Sequence, residues 1–343
     1  MRRLPIAAAL LLLAACHPAR RDVSAPVAAV PRGEIPPASP PAHWLRVIGE
    51  YGSDSAPRIL LERDGQLWLR TRDVEQPVIE RHGTIAIVQA TGDTTDAVVA
   101  HEGDRVSAIV VGDTGLLRRE LGPESGNQLV ITPVRPIAEL RREAMAATTP
   151  AESGSFRAPD LVELVRLDST IHLEIRYATA NNLFATPFYS QARAFLQRPA
   201  AEALVRVSAA LRARGYGLLV HDGYRPWYVT KMFWDATPPA KHVFVADPAK
   251  GSRHNRGCAV DLTLYDRATG APVEMVSTYD ETSARAYPDY PGGTSRQRWF
   301  RALLRAAMER EGFTVYEAEW WHFDHATWRD YPIMNAPFES LGR

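Results

Sequence analysis

Two histidines and two carboxylates lie in two short stretches of the sequence, and together they are the groups that bind a divalent metal and move a proton beside it. The first stretch is Ser252-Arg253-His254-Asn255-Arg256-Gly257-Cys258-Ala259-Val260-Asp261-Leu262-Thr263-Leu264. A strand over 258–264 turns Cys258, Val260, Leu262 and Leu264 to one face and Ala259, Asp261 and Thr263 to the other, because side chains alternate along a strand. Gly257 permits a sharp entry into that strand, so His254 can fold back beside Asp261 and add a nitrogen ligand to its oxygen. The second stretch, Glu319-Trp320-Trp321-His322-Phe323, sets a carboxylate three residues before a histidine among three aromatics. His322 completes a His/Asp/His set and leaves the fourth zinc position open for water. Glu319 is then free to take a proton from that water and pass it to a leaving amine. A third stretch, Asp222-Gly223-Tyr224-Arg225-Pro226, follows the apolar run from Gly217 to Val220. A strand ending in a tight turn projects Arg225 into a cleft, where its rigid fork suits either the oxyanion of a tetrahedral intermediate or a substrate carboxylate.

These groups need rigid elements to hold them. Leu204, Val207 and Leu211 share one face of a helix expected over Pro199–Arg214, with Gly215 as its left-handed cap. Phe300, Leu303, Leu304 and Ala307 form the buried stripe of a second helix expected over Arg298–Glu311, with Gly312 as its cap. An opening strand is expected from Leu161 to Leu167. Strands interleaved with helices make the block from 159 to 343 α+β. Upstream, from 43 to 137, short apolar runs alternate with turn signals such as Asp64-Gly65, Glu102-Gly103-Asp104 and Gly112-Asp113. That spacing predicts a small all-β accessory domain, an antiparallel sheet or partly closed barrel. His82 and His101 stand alone in it and read as surface or packing residues. Residues 138–158, rich in Ala, Thr, Ser and Glu, read as a linker that opens with a short helix.

The chain is 343 residues long, with 40 basic and 40 acidic residues and 45% apolar content, enough for two soluble domains. A net charge of zero speaks against nucleic acid as a partner, because phosphate binding needs a concentrated basic surface. Two cysteines, Cys16 and Cys258, exclude a disulfide framework and a thiolate zinc site. Arg2 and Arg3 precede an apolar run that ends in Leu13-Ala14-Ala15-Cys16. Residues 1–15 therefore read as a signal peptide, too short to span a bilayer permanently, whose end resembles a bacterial lipobox. Cys16 is the expected lipidation site, anchoring the protein through lipid in the periplasm at the outer membrane. From 16 to 42, seven prolines after His17 and many alanines form a tether that reaches on the order of 75 Å if extended as polyproline.

The ordered set Arg225, His254, Asp261, Glu319, His322 resembles the D-alanyl-D-alanine dipeptidases of the vancomycin-resistance type, within the zinc D-Ala-D-Ala metallopeptidases and their hedgehog-like fold. Ser252-x-His254-x-x-Gly257-x-Ala259-Val260-Asp261 looks like the family's first ligand motif, Glu319-Trp320-Trp321-His322-Phe323 like its second, and Asp222-Gly223-Tyr224-Arg225-Pro226 like its arginine segment. Tyr177-Ala178-Thr179-Ala180-Asn181-Asn182 and Tyr189 look like its N-terminal portion. The resemblance covers roughly Leu161 to Asp330 and none of the β block. It implies one Zn2+ per chain on His254, Asp261 and His322, Glu319 as general acid/base, and Arg225 stabilising the transition state. Ser252 and Tyr224 are expected near a small D,D-dipeptide substrate. Met275-Val276-Ser277-Thr278-Tyr279-Asp280 stands where the family has Met-Gly-Thr-x-Phe-Asp, so a branched side chain is expected to alter the adjacent substrate wall. A D,D-carboxypeptidase that trims peptidoglycan stem peptides is the alternative. A wall-binding lipoprotein without turnover fits poorly with Glu319 beside a complete ligand set.

Overall fold

A computed structural model describes residues 35–342 apart from 73, 82–83 and 123–128. Residues 1–15, read as a signal peptide, Cys16, most of the expected tether and His82 lie outside the described residues. No helix among the described residues is long and apolar enough to cross a membrane.

Eight strands between Gly49 and Leu117 pair in sequence order, each antiparallel to the next. Alternation places the core. Along Gln66–Thr71, Leu67 and Leu69 are buried while Trp68 and Arg70 are partly exposed. The Asp64-Gly65 turn has both residues at positive φ, the geometry that keeps a two-residue hairpin in step with strand twist. The ends of the sheet also meet: Tyr51 bridges Arg118, the Gly52 N–H donates to the Leu117 carbonyl at 2.8 Å, and Arg119 N–H donates to Glu50 carbonyl at 2.8 Å. The β block is therefore barrel-like, with Tyr51, Leu60, Leu67 and Ile109 inside. Exposed His101 is a surface residue, as expected.

The C-terminal block is built on a five-stranded sheet ordered His172–Leu173, Tyr216–Asp222, Ala259–Asp266, Glu319–His325, Phe313–Tyr316. The first pair is parallel and the others antiparallel. Helices Arg198–Arg212 and Ser295–Arg310 pack on it. Val260, Leu262 and Leu264 share one core with Leu204, Val207, Leu303 and Leu304. Each such side chain, when fully buried, contributes about 1.5–3 kcal/mol, so Asp261 rides on a strand anchored by its apolar neighbours.

The local structure departs from the sequence reading in three places. The second helix begins at Ser295, three residues early, because Thr294 and Gln297 close a capping box there. The strand expected over Leu161–Leu167 stops at Glu163, and Leu164–Leu167 is a helical turn whose end is gathered by the Asp168 carboxylate, bound to Thr170 and Arg212. The linker opens with helix Ile137–Ala146, but Leu140 and Ala144 are fully buried in the C-terminal core. This stretch packs on helix Trp227–Ala236 and belongs physically to that domain.

Candidate metal centre

His254 sits in the single-turn helix Arg253–Arg256. Ser252 caps it: its Oγ accepts the His254 N–H at 3.3 Å while the Asn255 side chain accepts the Ser252 N–H at 2.7 Å. Gly257 ends the turn at φ 69°, and a Cβ there would lie 2.6 Å from Leu161, so only glycine takes the chain into the next strand without displacing its neighbours. Asn255 also donates to the Arg225 carbonyl at 2.8 Å and to Thr230 Oγ1 at 2.9 Å. The histidine turn and the arginine segment are thereby fastened together.

Asp261 and His322 face each other as register partners on adjacent antiparallel strands, which puts their side chains on one face of the sheet. His322 Nδ1 lies 2.9 Å from Asp261 Oδ1 and 3.2 Å from His254 Nε2, and His254 Nε2 lies 3.5 Å from Asp261 Oδ1. Every other polar atom of the three is engaged outside. His254 Nδ1–H donates to the Gly223 carbonyl at 2.8 Å, and His322 Nε2–H donates to Asp324 Oδ1 at 3.0 Å. Asp261 Oδ2 accepts from the Tyr279 hydroxyl at 3.0 Å. Those bonds set the tautomers and leave three acceptor atoms converging with no proton of their own to share. Ligand atoms 2.0–2.2 Å from a tetrahedral zinc stand about 3.3 Å apart, and the three observed separations bracket that value. Burial works against charge on Asp261, but His254 and His322 outweigh it and hold the carboxyl well below its usual range. Burial likewise opposes charge on His322, where Asp324 and Asp261 carry the imidazole well above its usual value. A place that draws a proton so strongly suits a divalent cation.

Glu319 stands outside this triad, its Oε2 3.9 Å from His322 Nδ1 and its side chain 38% exposed. Burial, joined by the Asp261 charge and opposed by His322, raises its pKa. Arg225 is buried and directs Nε and Nη2 to Asp222 Oδ2 at 3.1 and 2.7 Å, over the rings of Phe233 and Tyr177. Asp222 Oδ1 accepts from Tyr189 at 2.7 Å and from the Gly223 N–H at 2.8 Å. Arg225 thus has the internal acid partner that would serve a purely structural role, yet its charge is also felt by Glu319 and by Asp280.

One expectation changes. Tyr224 is turned away from the centre: its hydroxyl donates to the Ala336 carbonyl at 3.0 Å and its ring packs against Phe338. The tight turn that projects Arg225 sends its neighbour to the opposite side. Ser252 keeps its place beside His254 as the cap of that turn, its hydroxyl oxygen accepting the His254 N–H. Cys258 lies buried beside Thr327, away from Asp261, with its thiol pushed up to about 12 by burial. Val276 has an ordinary backbone and packs under Gly293, where a Cβ would come within 3.2 Å of it.

The outer residues were harder to find. Asp324 lies two residues after His322, on the same face of the strand, and Arg253 Nη1 donates to its other oxygen at 2.6 Å, so period-two spacing was the available signal. Tyr279 lies in the Met275–Asp280 stretch, whose likeness to a family motif pointed to a substrate wall and not to a bond with Asp261. Substituting Tyr279→Phe removes the donor that orients Asp261 and is expected to weaken metal affinity by about 10–100-fold with the fold intact. Competition against a chelator measures it, and unchanged affinity would remove Tyr279 from the support of the centre.

Two imidazoles and a carboxylate converging on a common point, with a second carboxylate 3.9 Å away and an α+β scaffold behind, define a metallopeptidase. Residues 157–338 match the family model described as D-ala-D-ala dipeptidase, and the chain belongs to that family. It is 34% identical over 182 residues to the D-alanyl-D-alanine dipeptidase of Escherichia coli K12, a match covering 53% of this chain and 93% of that protein. The D-alanyl-D-alanine dipeptidases of Enterococcus faecium and Enterococcus faecalis are 32% and 33% identical, with 95% and 91% of their lengths covered by about half of this chain. The barrel lies outside the region matched by the family model.

Proposed function

We propose that the C-terminal domain hydrolyses D-alanyl-D-alanine, or a close D,D-dipeptide, with one zinc ion held by His254, Asp261 and His322. Two imidazole nitrogens and one carboxylate oxygen with an open fourth position suit a catalytic zinc, whereas structural zinc sites close all four positions with protein ligands. A zinc ion there supplies Lewis acidity, polarising the scissile carbonyl and making water acidic enough to attack near neutral pH. Glu319 takes the proton from the attacking water and delivers it to the departing amine nitrogen. Arg225, fixed by Asp222, faces the negative charge that develops on the carbonyl oxygen. Tyr279 and Asp324 hold the ligand set in place.

The observation that favours a free dipeptide over a stem peptide is Asp280. This carboxyl follows Tyr279, accepts from the Tyr177 hydroxyl at 3.0 Å, and has no ion pair with an arginine or lysine among the described residues. Burial first, then the charges of Asp261 and Glu319, push its pKa up to about 8. A free substrate ammonium provides the cation this buried acid lacks, and an acylated amine does not. The expected result is release of amine from free D-Ala-D-Ala and none from an N-acylated pentapeptide with the same terminus. Asp280→Asn is expected to raise KM for the free dipeptide by about tenfold or more, the size of one lost charge-assisted hydrogen bond. Cleavage of the longer substrate alone would overturn the dipeptidase reading and select the D,D-carboxypeptidase.

A further inference from the structure

Between strand Ala259–Asp266 and helix Ser295–Arg310 the chain forms an arm, residues 267–294, that carries Tyr279 and Asp280. Its far end is fastened to the barrel. Glu62, on barrel strand Arg58–Arg63, is only 2% exposed despite its carboxylate. Its backbone N–H donates to the Gly293 carbonyl at 3.1 Å. Its Oε2 accepts the Ser295 N–H at 2.7 Å, at the N-terminus of the sixteen-residue helix, and its Oε1 accepts the Gly65 N–H at 2.7 Å. Arg298 Nη2 donates to the Glu62 carbonyl at 2.6 Å, and the Asp64 N–H donates to Ser295 Oγ at 2.9 Å. Glu50, a second buried acid of the barrel, lies beside Tyr290 of the arm.

The fastening leads to the pocket through packed groups. Gly293, at φ 75°, lies against Val276, with no room for a side chain between them. Ser277 follows, its Oγ accepting the Trp320 indole N–H at 2.8 Å beside Glu319. Tyr279 then reaches Asp261, and Asp280 reaches Tyr177. Glu281, also buried, is locked by Arg285 and accepts the Thr278 N–H. Few groups in this path can shift without moving Tyr279 and Asp280.

We propose that the barrel is part of the peptidase's specificity apparatus, with Glu62 as a positioning residue that holds the 267–294 arm where Asp280 meets the amino end of the dipeptide. The proposal rests on the dipeptidase reading of Asp280. A carboxylate suits the position because each oxygen accepts one N–H, one from its own hairpin and one from the peptidase helix, at the end of the helix that favours negative charge. Glutamine keeps one acceptor oxygen and turns an amide N–H toward the other donor. Alanine leaves both donors without a partner.

The experiment uses the full zinc-loaded chain, with turnover of free D-Ala-D-Ala by the unmodified protein as its control. Failure of that control defeats the dipeptidase reading and leaves the fastening unjudged by the kinetics, so amide hydrogen exchange across 275–294 is read alongside. Glu62→Ala is expected to raise KM about tenfold, the scale of one lost charge-assisted hydrogen bond, with kcat within about threefold, zinc content unchanged and faster exchange confined to the arm. Glu62→Gln is expected to fall between the two. KM and arm exchange that stay at the unmodified values would overturn the proposal. So would a joint loss of kcat, KM and zinc in which glutamine is no better than alanine. If Glu62→Ala does not fold, Ser295→Ala, which removes the acceptor for the Asp64 N–H and for Arg298 Nη2, is read against Glu62→Gln, and no shift in either overturns it.

Discussion

Glu319→Gln is expected to lower kcat on D-Ala-D-Ala by about 10²–10⁴-fold, the usual contribution of a positioned general acid or base, while metal content stays at that of the unmodified protein. The two halves of this expectation have separate structural grounds. Glu319 is not among the three convergent ligand atoms and stands 3.9 Å from His322 Nδ1, so the ligand set survives its replacement. Its carboxylate stands beside the triad, and an amide of the same shape cannot take the proton that the attacking water must lose. KM should change little, because the substrate's amino end is met by Asp280 and not by Glu319. Metal analysis and steady-state kinetics on the same preparation check both parts. Undiminished turnover would remove Glu319 from the mechanism, and lost metal would recast it as a ligand.

What the sequence made legible was the chemistry that local spacing enforces. Asp261 and its apolar neighbours alternate along one strand, and the Gly215 and Gly312 caps announce helix ends, so the ligand-bearing sheet and its two helices were readable. Interactions between distant segments were not. Short alternating runs identify barrel strands, but closure depends on Tyr51 meeting Arg118 across the whole domain. Helix Ile137–Ala146 presents a thin buried stripe of Leu140 and Ala144, which an alanine- and glutamate-rich stretch conceals. Tyr224 shares a motif with Arg225, and only the direction of the turn separates a packing role from a functional one. Glu62 has no motif: it reads as an ordinary strand acid until the Ser295 helix is placed against it.

Arg225→Lys is expected to keep the fold and lower kcat by about 10²–10³-fold, the cost of one displaced oxyanion donor. Asp222→Ala is expected to destabilise the domain by about 3–5 kcal/mol, the penalty for leaving a buried charge without its partner. The guanidinium spends Nε and Nη2 on a single oxygen of Asp222, and Nη1 takes no part in that pair. One edge of the fork anchors while the remaining nitrogen is left for charge that appears during reaction. A lysine ammonium is a point charge on a flexible stem; it can satisfy Asp222 or reach the oxyanion, but its geometry does not fix both. Stacking over Phe233 and Tyr177 adds a planar contact that lysine lacks. Thermal unfolding of both variants separates the anchoring role from the chemical one, since Asp222→Ala should lower the melting temperature far more than Arg225→Lys. Kinetics then decide between the two roles that the residue type alone leaves open. A fall in kcat at nearly constant KM places Nη1 on the oxyanion, whereas a rise in KM with kcat preserved places it on the substrate carboxylate and removes the transition-state role.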